Sequence, residues 1–465
     1  MLGLGNGYAV GLYTAWLIIW AAVLLVFNDP ERDFRRIESY VVPCPSHESK
    51  GIDSIQNGSA TTSGSFKGMS SNLRFRTLPD NSNCSPLDSS RNDSQTSTRS
   101  GKMRIFRWQA YPESIGHRIG WVLDLTSNFR GSGWSWRIRG LPALPDFIPE
   151  QTGDICTEPI GDNKARNNET ISHLRSISIQ FIMSYLALDI LKVTMMLDPY
   201  FRGEISSPSG PILAASPLLI RAYRISLSGL GMLSALFFAP SLMFLLFLGI
   251  STLVPQIKTW ISVPLDAAWM YPQWFGNFPQ DYIYHGLTGF WVRGWHQFFR
   301  FGFSEWCNFV IAHLPTRFQG KRTRRAIQLF IAFGISGTLH ACGSYTTIGD
   351  TKPLAQFTFF LSQAAGILLQ KALVRVIHSR LPFKVPIWLR RTGNFFFLFF
   401  WFLLVSGLFV DDLSRGGIWL LEPVPVSLVR AFGFVGPGER WWCWGAKWFR
   451  WSSGERWWDS GIQIL

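Results

Sequence analysis

The amino-acid sequence predicts an all-α, polytopic integral membrane protein of about seven to nine transmembrane helices. Two observations lead to this fold class: the composition is apolar, and the apolar residues form runs long enough to cross a bilayer. Of the 465 residues, 47% are hydrophobic and only 16% are charged, whereas roughly a quarter of the residues in a soluble domain are charged. A water-soluble enzyme of hydride or phosphoryl chemistry on a doubly wound sheet is therefore disfavoured.

Six apolar runs have the length that spans a hydrocarbon core of about 30 Å at 1.5 Å per residue. They are residues 8–27, 177–196, 230–254, 326–345, 357–377 and 394–410. The first run has no basic residues before it and is too long for a signal-peptide core, so we expect a retained signal anchor. Amphipathic or re-entrant segments near 283–303 and 418–435 raise the expected number of spans above six.

The domain organisation follows from shifts in composition along the chain. We expect a signal-anchor helix with a basic flank (1–43), then a Ser-rich loop (44–102) with too little apolar content to order. A Trp/Arg-rich segment (103–176) is typical of a membrane surface. The membrane-embedded core (177–440) precedes a Trp-rich interfacial tail (441–465).

The charge and cysteine content narrow the choice of partners. A net charge of +14 in a membrane protein indicates orientation by basic cytoplasmic loops and contact with anionic lipid head groups. A nucleic-acid partner is not expected, because no basic stripe lies on a soluble module. The six cysteines show no C-x-x-C spacing, so we expect neither a metal site nor a disulfide framework.

An ionisable residue inside an apolar run is a candidate functional residue, because an unpaired polar group at bilayer depth is costly. His340 lies in such a run, with small residues on either side, among them Gly334, Gly337, Ala341 and Gly343. The alternative is that these small residues let helices pack closely while the histidine bonds a neighbouring carbonyl.

His296 is the second candidate, in the segment F-W-V-R-G-W-H-Q-F-F-R. If this segment is helical, Gly289, Arg293, His296 and Gln297 share one face. An amphipathic helix resting at the interface is an equal reading of the residues alone. Two buried histidines would supply a base near neutral pH, which suits removal of a proton from a hydroxyl. The sequence contains no G-x-S-x-G elbow, P-loop or H-E-x-x-H motif that would indicate another chemistry.

These residues resemble the membrane-bound O-acyltransferases, in particular their fungal wax-synthase-like branch. Phe290-Trp291-x-x-x-Trp295-His296 is similar to the branch motif F-W-x-x-x-W-H, and His340 matches the family histidine in the next apolar helix. The resemblance extends upstream, to a segment that begins at Asp124 and reads D-L-x-x-N-F-R-G-x-G-W-x-W, and to Tyr185-Leu186-x-x-Asp189-x-x-Lys192 followed by D-P-Y-F.

Three positions depart from the branch pattern L-x-D-F-W-G-R-R-W-H. Gly289 stands in place of the acidic residue, Val292 in place of a glycine and Gly294 in place of an arginine. No departure removes a histidine, but the missing carboxylate leaves open how His296 would be oriented.

The resemblance implies helices that enclose a tunnel, in which an acyl group passes from coenzyme A to a hydroxyl without a covalent enzyme intermediate. His340 would be the general base, and His296 would orient it or stabilise the oxyanion. The tunnel would be lined by Phe290, Trp291, Arg293, Trp295, Gln297 and Phe298. The phosphates of coenzyme A would meet a basic cluster of Arg317, Lys321, Arg322, Arg324 and Arg325, although a positive-inside anchor explains this cluster as well.

The expected function is therefore an O-acyltransferase, with acetyl-CoA or another acyl-CoA as co-substrate, no bound cofactor and no metal. The expected acceptor is a lipophilic alcohol of fungal secondary metabolism, such as a terpenoid or meroterpenoid, in the endoplasmic reticulum membrane. A wax ester synthase acting on long-chain alcohols is the first alternative. A transporter with intramembrane histidines is the second, although no internal repeat of the kind found in transporters is visible.

Overall fold

The structure is a computed structural model. It describes residues 6–43, 102–146, 148, 155–159, 163–205, 216–254, 256, 261–276, 280–295, 297–318, 320–381, 383, 385–433, 440–444, 449–453 and 461–464. The tract predicted to be disordered therefore lies outside the described residues, apart from its last position, Lys102.

Helices dominate the described residues. In chain order they are α1 (Asn6–Ala22), α2 (Pro30–Asp33), α3 (Ile115–Ser127), α4 (Asn163–Met196), α5 (Pro217–Leu253), α6 (Gln280–Ile283), α7 (Gly286–Gly289), α8 (Arg300–Ala312), α9 (Lys321–Thr346), α10 (Pro353–Arg380), α11 (Ile387–Val405), α12 (Gly407–Arg415) and α13 (Leu428–Ala431). Single π-helical turns continue α1 over Val23–Phe27 and α7 over Phe290–Gly294.

Five helices of the described residues are long and apolar enough to cross a membrane, and α11 with α12 makes a sixth if the bent pair is one span. The mainly helical, multi-span class is confirmed, whereas seven to nine spans are not found in the described part of the chain. The run 394–410 is interrupted at Ser406, where α11 and α12 meet at 45°. The bend lets α12 bring two carboxylates, Asp411 and Asp412, to protein partners.

Close helix packing brings the first span against the span that carries His340. The α carbons of Gly7 and Gly11 in α1 approach the backbone of Thr346 and Cys342 in α9 so closely that a Cβ would collide there. Because the contacts run in opposite directions along the two helices, α1 is antiparallel to α9. Gly343 presents the matching gap to Tyr8, whose ring lies 3.2 Å from where a Cβ would stand. Small residues therefore do shape the packing near His340.

Two small sheets accompany the helices and were not predicted. Strands β1 (Arg36–Pro43), β2 (Lys102–Gln109) and β3 (Ile155–Pro159) form an antiparallel sheet in that order, and β4 (Phe449–Ser452) pairs with β5 (Gly461–Ile464). Charged side chains obscured the alternating pattern in the first sheet. Arg104 is buried there because it pairs with Asp266 at 2.7 Å.

The Trp/Arg-rich segment folds onto α1. Trp121, Trp134 and Trp136 are buried, in one cluster with Trp16 and Trp20 of α1. These three indoles therefore contact protein rather than lipid head groups, and the expected surface position does not hold for them. The cluster forms because stacked and edge-on indoles gain contact energy beyond their buried area.

Candidate functional site

A cavity of about 1140 Å³ lies between the long helices, and His340 lines it. The lining is mostly aliphatic and aromatic, from α1, α4, α5 and α9 to α12 together with residues 290–299. A few polar side chains interrupt it: Tyr8, Lys192, Ser226, Tyr282, His340, Ser406 and Glu422. A large apolar cavity with few polar groups is typical of a site for a lipophilic ligand.

The imidazole of His340 is held on three sides. Its ring stacks on Phe360, with 4.2 Å between centroids and 12° between planes, and it meets the edge of Phe409 at 5.4 Å. Its Nδ1 lies 2.7 Å from the hydroxyl oxygen of Tyr8. Among the described residues nothing bonds Nε2, so this nitrogen is available to a substrate in the cavity.

The segment after α7 does not continue as one regular helix. The π-helical turn ends at Gly294, and Trp295 has extended backbone, so the predicted single helical face of Gly289, Arg293 and Gln297 is not formed. His296 lies outside the described residues, and its predicted role stays a prediction. The irregular turn projects aromatic rings inward on both sides of the break.

Four of the six predicted tunnel residues line the cavity: Phe290, Trp291, Trp295 and Phe298. The other two contact different groups. Arg293 is exposed and its guanidinium lies 3.1 Å from Nε2 of His285. Gln297 donates to the carbonyl oxygens of Trp291 and Trp295, and so braces the turn.

The glycines that depart from the branch motif are required by close packing. A Cβ at position 289 would collide with the carbonyl oxygen of Asp281 and with Cβ of His285. A Cβ at position 294 would lie 2.7 Å from the ring of Tyr282. An acidic residue or an arginine could not occupy either position with this backbone, so both departures belong to the local fold.

Three buried glutamines on α10 brace the walls of the site and were not predicted from the sequence. Gln356, Gln363 and Gln370 recur every seven residues and are 0%, 0% and 5% exposed. Each holds a different segment: Gln370, for example, accepts from the backbone N–H of Leu287 at 3.0 Å and donates to Asn394. The signal was present, because buried amides in an apolar run are costly unless they are bonded.

The upstream motifs brace the segments around the cavity, and of their polar residues Lys192 also lines it. Tyr185, Asp189 and Lys192 lie on one face of α4 and bind the backbone of residues 419–429; the carboxylate of Asp189, for instance, accepts from the N–H of Val429 at 3.0 Å. Arg130 donates to the carbonyl oxygens of Pro272 and Gln273. Burial lowers the pKa of the Arg130 guanidinium to about 10.

The predicted coenzyme A cluster lies away from both described cavities. Arg317, Lys321, Arg322, Arg324 and Arg325 are all exposed and line neither cavity. Because α9 rises about 1.5 Å per residue, Arg325 lies about 22 Å along the axis from His340 and Lys321 about 28 Å. The described residues bring no group of three or more metal-ligating side chains together.

A second cavity of about 720 Å³ adjoins the first and shares Ile225 and Val410 with it. Its lining is more polar and includes Arg221, Arg224, Lys352, Asp411, Asp412 and Arg415. Two of these cations have acidic partners: Arg224 pairs with Asp198 at 2.9 Å and Arg415 with Asp350 at 3.4 Å. The cavity therefore has a largely compensated charge.

Comparison with known proteins relates the part of the chain around His340 to one enzyme family. Residues 271–362 match the model of the membrane bound O-acyl transferase family, and this segment contains the aromatic turn, His340 and Gln356. The resemblance inferred from the residues is thereby confirmed. No solved structure matches.

Curated relatives are fungal transferases. The chain is 28% identical over 270 residues to O-mevalon transferase yanI of Aspergillus niger, covering 55% of this chain and 53% of that protein. It is 28% identical over 160 residues to acetyltransferase spyB of Aspergillus fumigatus, covering 31% and 26%. It is 23% identical over 290 residues to acetyltransferase eriL of Hericium erinaceus, covering 61% and 67%. The chain thus spans about half the length of several curated relatives that it matches.

Proposed function

We propose that this chain, which carries a membrane-bound O-acyltransferase segment at residues 271–362, is an acyl-CoA-dependent O-acyltransferase. The acyl group is acetyl, and the acceptor is a hydroxyl of a lipophilic secondary metabolite such as a terpenoid. The observation that carries the proposal is the position of His340: one ring nitrogen is bonded to protein, and the other is available in an apolar cavity of about 1140 Å³.

His340 acts as the general base in a direct transfer. Its Nε2 removes the proton of the alcohol as the alcohol oxygen attacks the thioester carbonyl carbon. The tetrahedral intermediate collapses with cleavage of the C–S bond, and the imidazolium returns the proton to the coenzyme A thiolate. Positioned proton transfer of this kind contributes about 10²- to 10⁴-fold to the rate. The apolar lining excludes water, which would otherwise compete with the alcohol.

The donor approaches from the basic end of the helices. Because α1 and α10 both run antiparallel to α9, the start of α9 lies at the same end as Arg32, Arg35 and Arg380. The positive-inside rule places this end in the cytoplasm, where acetyl-CoA is available. The exposed basic cluster at 317–325 attracts the coenzyme A phosphates there, and His296 contributes to the oxyanion environment. We place the protein in the endoplasmic reticulum membrane.

The relatives favour this enzyme over the alternative of a transporter. Their names are those of acetyltransferases and O-mevalon transferases from fungi. These names describe the transfer of a chemical group rather than the transport of a solute. Trp291, Trp295 and Phe298 line the cavity, and bulky rings beside the thioester would favour a short acyl group over the long chain of a wax ester.

Purified protein in detergent, supplied with radiolabelled acetyl-CoA and an extract of fungal lipophilic alcohols, tests the proposal. We expect label in a neutral ester and none with His340→Ala. Label carried from palmitoyl-CoA in preference to acetyl-CoA would support the wax-ester alternative instead. Solute uptake into liposomes without any ester would reject the enzyme.

A further inference from the structure

A continuous chain of hydrogen bonds connects His340 to a carboxylate on another helix. Nδ1 of His340 lies 2.7 Å from the hydroxyl of Tyr8, and that hydroxyl lies 2.9 Å from Oε1 of Gln356. Nε2 of Gln356 donates to Oδ2 of Asp412 at 2.8 Å. The four residues come from α9, α1, α10 and α12, so the chain exists only in the folded protein.

The two members farthest from the histidine are buried. Gln356 is 0% exposed and Asp412 is 3% exposed. The second carboxylate oxygen of Asp412 accepts the backbone N–H of Lys352. Buried polar groups that are all bonded form a rigid network, because breaking one bond leaves a desolvated group without a partner.

The direction of each hydrogen bond follows from which atoms carry a hydrogen that can be donated. An ionised carboxylate can only accept, so the Gln356 amide must present its NH₂ group to Asp412 and its oxygen to Tyr8. Tyr8 has a single hydroxyl proton, and it donates that proton to the Gln356 oxygen. The Tyr8 oxygen is then left as an acceptor, and the Nδ1 of His340 must carry a proton to bond it.

We infer that Asp412 and Gln356 act through Tyr8 to hold His340 as its Nδ1–H tautomer, with Nε2 as the unprotonated nitrogen in the cavity. Gln356 and Asp412 are positioning residues, because neither lines the cavity that His340 lines. Tyr8 does line that cavity, and its role in this inference is to orient the imidazole. Naming Nε2 as the base depends on the proposed acyltransferase function, whereas the tautomer itself does not.

The hydrogen-bond chain from Asp412 to His340 also prevents rotation of the imidazole. Stacking on Phe360 fixes the ring plane but not which nitrogen faces the cavity, because the ring can turn about its Cβ–Cγ bond within the stack. The Tyr8 bond selects one orientation. Tyr8 can reach His340 because Gly343 and Gly11 allow α1 and α9 to approach closely. The small residues around His340 thus contribute to the orientation of its ring.

Nitrogen NMR tests the tautomer without any substrate. The full-length protein is labelled with ¹⁵N-histidine in detergent at pH 7.5, and the His340 signals are identified by their loss in His340→Gln. We expect a protonated Nδ1 and an unprotonated Nε2. In Asp412→Asn the Gln356 amide can turn over, Tyr8 is freed to donate, and we expect the opposite tautomer. A wild-type His340 protonated on Nε2 would overturn the inference even if the enzyme is active.

Kinetics then test the consequence for catalysis. We expect Tyr8→Phe and Asp412→Asn to lower kcat by about 10- to 100-fold with KM for acetyl-CoA within about twofold of wild type, because an incorrectly oriented base affects the chemical step. Tyr13→Phe on the exposed side of α1 and Asp411→Asn beside Asp412 are matched controls and should keep kcat within about twofold. Equal losses in both carboxylate variants would overturn the inference, since only Asp412 belongs to the chain of hydrogen bonds that leads to His340.

Discussion

Trp291 and Trp401 donate their indole N–H groups to the same oxygen, Oε1 of Gln363, at 3.2 and 3.1 Å. One indole comes from the irregular turn that lines the cavity and the other from α11, and Gln363 is fully buried on α10 between them. The amide also donates to the carbonyl of Phe359, which fixes its orientation. A single side chain therefore attaches one wall of the cavity to the helix bundle.

Replacement of Gln363 by leucine should destabilise the protein. Both indole N–H groups would lose their acceptor, at a cost of about 1 to 3 kcal/mol for each group left unsatisfied. A thermal melt in detergent, followed by tryptophan fluorescence, should show a lower Tm than wild type. Thr358→Ala on the same helix removes only a local bond to the carbonyl of Leu354 and should leave Tm nearly unchanged. An unshifted Tm for Gln363→Leu would contradict the proposed role of the shared oxygen.

His340→Ala should reduce transfer by at least about 10²-fold while membrane insertion is retained. The substitution removes the base, whereas the apolar face of α9 that drives insertion is unchanged. Initial rates with labelled acetyl-CoA on matched amounts of detergent-extracted protein measure the effect. His378→Ala, an exposed histidine whose Nδ1 contacts the carbonyl of Val374, is the control and should retain activity. Near-wild-type turnover of His340→Ala would reject the assignment of the base.

The two substitutions of His296 should differ. His296→Ala removes any hydrogen bond to the reacting centre, and we expect a loss of about 10²-fold or more. His296→Asn keeps a hydrogen-bonding group without a titratable one, so part of the activity should remain. The same initial-rate assay at several pH values separates the variants. If both variants behave like wild type, His296 has no catalytic role.

The tract 44–101 should be dispensable for catalysis. Its two ends lie together, because Pro43 and Lys102 are paired across β1 and β2, so a two-residue Asn-Gly turn can replace the tract without moving either strand. We expect normal insertion and a kcat within about twofold of wild type. Loss of activity at normal expression would show that the tract contributes to the site.

Shortening the aromatic wall should change the preference for acyl chain length. Trp291 and Phe298 both line the cavity, and Phe298 meets the ring of Trp274 at 3.9 Å between centroids. Trimming either residue to alanine opens space, so longer acyl groups can bury methylenes worth about 0.8 kcal/mol each. The ratio of kcat/KM for acetyl-CoA to that for palmitoyl-CoA should fall in a competition assay.

The matched control for the acyl-chain experiment is Phe301→Ala. Phe301 packs on Trp136 and Trp20 and is not among the residues that line the cavity. This variant should keep the wild-type ratio of kcat/KM values. If all three variants change the ratio equally, the effect comes from general loosening of the fold. A wild-type preference for palmitoyl-CoA would reject the acetyl assignment.

The second cavity and the two small sheets were not predicted from the sequence. The apolar run predicted from hydropathy begins at residue 230 and so leaves out Arg221 and Arg224, although α5 begins before them at Pro217. Hydropathy also fails to detect β1 and β2, because they contain charged residues that pair across the strands, as Arg107 does with Glu38 at 2.6 Å. A charge that is compensated by a distant partner looks like a solvent-facing charge until that partner is known.

Five of the predicted spans, the helical class and the choice of His340 as a candidate were determined by the sequence itself. The length of an apolar run decides whether it can cross a bilayer, and the cost of an ionisable group at that depth singles out the histidine. Only the tertiary structure decided which nitrogen of His340 is available and what holds it. Tyr8 is 332 residues away along the chain, and Asp412 lies on a helix bent from its neighbour. Hydrogen bonds between such residues depend on how helices pack, which local composition does not encode.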